Sequence, residues 1–186
     1  MNFLMSMSQH AVRLFALAAL VAVAAQNAVA QPENEPEALK AAHEQLVEAL
    51  DGVDDLFYKQ KTAENGTIFY TVMWESGGET TKIILGLKNL GYFNNEYIYA
   101  LSAWTYVASS ENAMPPAVIK AVTTANDSLM IGNYSCSADF KNVYANMTGV
   151  LKNVTPDEMW MYMAYLHSNR LKLKQQVDQA MAGAGG

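Results

Sequence analysis

The side chains able to carry out chemistry in this chain are dispersed along it. His43 and His167 each stand without a second histidine four residues away and without a cysteine pair, so the spacings that hold zinc are missing. Each reads as a surface or half-buried side chain. No serine sits in a Gly-x-Ser-x-Gly elbow. Gly77-Gly78 has no helix following it, so its backbone amides are not arranged as a phosphate cradle. Glu75 and Glu79 flank the same glycines. Two carboxylates can share general acid–base work, but on an exposed turn both are expected to stay solvated. Cys136 is the single cysteine, which excludes an internal disulfide. With no charged neighbour to lower its pKa, it is expected to be buried and unreactive. These residues assign no catalytic site, no metal and no cofactor, and the expected protein is not an enzyme.

The elements that would position such residues begin after a segment of a different kind. Arg13 precedes Leu14 to Ala25, twelve residues without a polar side chain, and Ala28-Val29-Ala30 offers the small-x-small pattern accepted by signal peptidase. The run is shorter than the roughly 20 apolar residues needed to cross a bilayer. Residues 1–30 are therefore expected to be a bacterial Sec-type signal cleaved after Ala30, leaving a periplasmic or secreted protein with no stable membrane span. The chain carries 12 basic and 18 acidic residues, a net charge of −6, and cleavage removes only the positive charge of Arg13. An acidic surface of this kind repels phosphate backbones and anionic lipid, so nucleic acid is not an expected partner.

Residues 31–37 read as a polar linker, residues 38–181 as one α+β domain, and residues 182–186 as a flexible tail. Leu39, Ala42, Leu46 and Leu50 recur at helical steps and Asp51-Gly52 ends that helix. Ile68, Tyr70, Val72 and Trp74 alternate, Ser76-Gly77-Gly78-Glu79 turns the chain, and Thr81, Ile83, Leu85 and Leu87 resume the alternation, which predicts a hairpin. A loop is expected over Asn89 to Asn95. The run Tyr97 to Val107 then puts Tyr97, Tyr99, Leu101 and Val107 on one face and Ile98, Ala100, Trp104 and Tyr106 on the other, as in a central strand. Pro115-Pro116 opens a short second helix ending near Asn126, with Val118, Ile119 and Val122 inside. Two further strands are expected, over Met130 to Cys136 and Asn142 to Leu151. Thr155-Pro156-Asp157-Glu158 is a capping box, opening a last helix to about Met181.

Trp74-Glu75 before a glycine turn, the helix ending at Asn126, the Ile131-Gly132-Asn133-Tyr134 strand and the Thr155-Pro156-Asp157-Glu158 helix start together resemble the YbjN-type, type III secretion chaperone-like families. The resemblance spans most of residues 31–186. It implies a five-stranded antiparallel sheet with packed helices in the order α-βββ-α-ββ-α, and a tendency to dimerise or hold other proteins. It supplies no catalytic residues. The export signal departs from the cytoplasmic setting of the secretion chaperones.

One apolar feature exceeds what the core needs. In the last helix Met159, Tyr162, Met163 and Leu166 share one arc, whereas Met161 and Tyr165 project almost opposite as an i, i+4 pair, with Trp160 between the arcs. Flexible methionine beside tyrosine suits an adaptable contact surface. The expected function is therefore protein binding or homodimerisation through Met161, Tyr165 and Trp160. An alternative is a small apolar ligand held between sheet and last helix by aromatics such as Trp104 and Tyr106. A hydrolase with a site assembled from distant residues is a third reading.

Overall fold

The computed structural model describes residues 35–129 and 131–184. The export segment expected over residues 1–30 lies outside them. From Glu37 onward the chain is one compact unit. Its elements are α1 (Glu35–Asp51), β1 (Phe57–Thr62), β2 (Ile68–Ser76), β3 (Glu79–Phe93), β4 (Glu96–Ser109), α2 (Pro116–Asn126), β5 (Asn133–Cys136), β6 (Asn142–Val150) and α3 (Pro156–Ala184). The strands form one antiparallel sheet in the order β1-β2-β3-β4-β6-β5.

The architecture is α+β, as expected, but among the described residues the sheet has six strands, and the element order is α-ββββ-α-ββ-α. The additional strand is β1. Five of its six residues are exposed, so the polar run Phe57-Tyr58-Lys59-Gln60-Lys61-Thr62 lacks the apolar alternation that identifies a half-buried strand. It is an edge strand protected by lysines. Tyr58 anchors it, donating a 2.5 Å hydrogen bond to Asp51 Oδ1 at the end of α1. That bond, reinforced by burial, pushes the phenol up to about 12.

The hairpin between β2 and β3 turns on Gly77 and Gly78, both at positive φ (61° and 79°) as a tight two-residue connection requires. The loop expected over Asn89 to Asn95 is instead mostly strand. β3 continues to Phe93 through a bulge at Asn89/Gly91, and the chain reverses only at Asn94 and Asn95 (φ 50° and 65°). β4 is central, between β3 and β6, in agreement with its two apolar faces.

Alternation along these strands puts Tyr70, Val72, Ile83, Leu85, Leu101, Ala103, Val143 and Ala145 on one face, all buried. Helix α3 covers it with Met159, Met163, Leu166, Leu173 and Val177. Helix α2 packs on α3 and β5 through Val118, Val122 and Ala125. In α1 the inward residues are Ala42, Leu46, Ala49 and Leu50, while Leu39, expected in the stripe, is exposed one turn before the core begins. Filling this layer is the main source of stability, at about 1.5–3 kcal/mol for each large apolar side chain.

Local polar contacts set the joints. Thr155 and Glu158 form the expected box: Thr155 N donates to Glu158 Oε2 (2.9 Å) and Glu158 N to Thr155 Oγ1 (3.3 Å). Asn126 acts as a strand partner for Tyr134, donating from Nδ2 to its carbonyl (3.0 Å) and accepting from its amide (2.6 Å). β5 starts at Asn133, three residues later than the expected strand, because Gly132 adopts φ 83° pressed against Asn146.

Candidate functional site

The second face of the sheet carries no helix among the described residues. The register sets its side chains in rows across the strands. One row runs Lys59, Thr71, Ile84, Trp104 and Asn146, and the next Lys61, Phe69, Gly86, Ser102 and Thr148. Gly86 contributes no side chain and Ser102 only a short one, so the middle of the second row is a depression. A Cβ placed on Gly86 would meet nothing within 4 Å. Phe69, Ile84 and Trp104 wall this groove, Lys88 and Thr67 close one end, and its volume is about 460 Å³. Ligand pockets run from about 300 to 1,000 Å³.

Beside the groove an aromatic cluster extends the surface. Trp104 meets Tyr106 at 5.5 Å and Tyr144 at 5.8 Å between centroids, both edge-on, and Tyr106 and Tyr144 lie 4.9 Å apart. The small-ligand alternative has Trp104 and Tyr106 lining a pocket between the sheet and the last helix. They lie on the opposite face, because their neighbours Ala103 and Thr105 take the helix side and successive residues of a strand alternate.

The titratable groups do not converge on this groove. His43 Nδ1 lies 3.1 Å from the Tyr70 hydroxyl, and burial lowers the imidazole pKa and raises that of the phenol. His167, expected at the surface or half-buried, is buried, with Nδ1 2.7 Å from Thr81 Oγ1. It is drawn inside because the helix position that follows Leu166 faces the sheet. Burial lowers its pKa, the Arg170 guanidinium lowers it further, and Glu79 opposes them. Cys136 is half-buried rather than buried, since it ends edge strand β5, which is paired on one side only, and burial raises its thiol pKa. Glu75 and Glu79 are exposed. Among the described residues no three His, Cys, Asp or Glu side chains are grouped to hold a metal ion. No described helix is long and apolar enough to cross a membrane.

The three residues singled out in the last helix have different settings. Met161 is 54% exposed. Trp160, 53% exposed, leans edge-on against Trp74 at 5.8 Å. Tyr165 is half-buried and donates from its hydroxyl to Ile131 O (3.0 Å), so it fastens the approach to β5. It also lines a smaller cavity of about 180 Å³ with Tyr134 and Asn169.

The sequence reading missed Phe69, Ile84, Gly86, Ser102, Lys88 and Tyr144. The Gly77-Gly78 turn carries the signal for part of this set, since counting back from it pairs Phe69 with Gly86. No family model, no curated protein and no solved structure matches the chain.

Proposed function

We propose that this chain is an exported, periplasmic or secreted, non-enzymatic domain that acts by binding, with the helix-free sheet face as its working surface. The observation that carries this reading is the groove over Gly86 and Ser102. It joins a floor of Gly86 and the short Ser102 to apolar walls from three strands. In this reading the small ligand lies on the open face rather than at the sheet–helix interface. Titrating the chain with 1-octanol tests it. The amide resonances of Phe69, Ile84, Gly86 and Ser102 should shift together, and Gly86→Val, which fills the floor where there is room for a side chain, should abolish the shifts without lowering the melting temperature. Unperturbed resonances in the unsubstituted chain would remove the groove as a binding site.

A second reading rests on Trp160 and Met161, both more than half exposed beside a sheet-packed helix. Here the partner is a protein or a second copy of the chain, in keeping with the resemblance to the secretion chaperone-like families. The two surfaces lie on opposite faces of the sheet and can be separated by substitution.

A further inference from the structure

Charge on the helix-free face runs against the charge of the chain. The protein as a whole is acidic, at −6. Yet the alternation that places half-buried Phe69, Ile84 and Trp104 on this face also places exposed Lys59, Lys61, Lys82 and Lys88 there. Only two carboxylates stand on this face among the described strand residues. Glu75 lies at the hairpin end, and Glu96, at the opposite margin, is already paired with Lys152 at 2.9 Å. None of the four lysines forms an ion pair with a described carboxylate. Lys88 lies in the wall of the groove itself, one row beyond the Gly86–Ser102 floor.

We propose, resting on the groove reading above, that the occupant is a linear aliphatic monocarboxylate. Its acyl chain lies along the floor between Phe69 and Trp104, and its carboxylate sits at Lys88. The shape favours a chain. From Ile84 to Lys88 the trough follows strand β3 for about 14 Å, flanked by Phe69 on β2 and Trp104 on β4. The charge favours an anion at one end, since Lys88 is the charged residue among those that line the trough. A cationic amphiphile would meet four unneutralised ammonium groups.

Calorimetric titration of the full chain with octanoate, 1-octanol and octylammonium tests this. Octanoate should bind roughly three- to tenfold more tightly than octanol, with octylammonium weakest, and the preference should shrink as salt is raised. Lys88→Gln should bring octanoate down to octanol and leave octanol unchanged, whereas Gly86→Val should remove both. Equal affinity for octanoate and octanol overturns the monocarboxylate while leaving the groove as a binding site. Binding of neither overturns both readings. Sedimentation with phosphatidylglycerol vesicles in place of octanoate binding, or a rise in mass that Gly86→Val abolishes, also overturns it, in favour of a membrane surface or a second copy.

Discussion

Thr81 Oγ1 and His167 Nδ1 stand 2.7 Å apart inside the protein, the polar stitch between strand β3 and helix α3. The surrounding core favours the neutral imidazole, and Arg170 adds to that preference. The unfolded chain therefore takes up a proton before the native one does. Stability is held above the ordinary histidine value of 6.5 and is lost as pH falls below it toward the lowered native pKa. His43, lowered by burial, acts in the same direction. Urea midpoints should fall between pH 7 and pH 5, His167→Gln should flatten part of that slope, and His43→Gln part of the remainder. A slope unchanged in both variants would contradict the assignment. Thr81→Val, which leaves the imidazole without its partner, should cost about 1–3 kcal/mol.

A similar intolerance is expected at Gly132. A Cβ there would lie 2.3 Å from the carbonyl oxygen of Asn146, and the residue holds φ 83°. Both strain and overlap oppose any side chain, so Gly132→Ala should cost about 2–4 kcal/mol. Gly86→Ala, with open space above it, should change stability little. Paired urea titrations of the two variants check the contrast.

The same glycines mark where sequence reading succeeds and stops. Gly77-Gly78 sits between two alternating runs, so the hairpin and its register are legible from local chemistry. Gly132 lies inside a stretch that reads as strand, residues 130–136, and nothing local discloses that its backbone departs from strand geometry to approach β6. β1 was hidden for a different reason: an edge strand with lysines on its outward side has no core face to display. The pairing of Gly86 with Ser102 depends on the Asn89/Gly91 bulge and the Asn94-Asn95 turn together, a non-local sum that periodicity does not carry. Trp104 and Tyr106 were identified as aromatics on a single face. Which face received the helices was decided by the burial of Ala103 and Thr105, small residues with weak patterns of their own.

At the start of α3 the reciprocal bonds of Thr155 and Glu158 satisfy amides that the first turn leaves free. Thr155→Ala should therefore lower stability by about 0.5–2 kcal/mol. Pro156 follows at the first helical position and packs where a side chain on Gly52 would have to go, 2.4 Å from its Cγ. Gly52→Ala should then destabilise as well, and because the two sites share this joint, the double variant should depart from additivity. Thermal melts of the two single variants and the double give the comparison.

Met161 and Tyr165 are one helical turn apart, yet their substitution should affect different properties. Tyr165 gives its hydroxyl to Ile131 O, so Tyr165→Phe should cost about 0.5–1.5 kcal/mol of stability and leave self-association as it was. Met161 is open to solvent beside Trp160, so Met161→Asp should move stability by no more than about 0.5 kcal/mol. If the helix surface joins two copies of the chain, that substitution should weaken association by placing a charge in an apolar contact. Sedimentation equilibrium over a range of concentrations separates the two effects. A chain that is monomeric throughout, with or without Met161→Asp, would remove the homodimer reading.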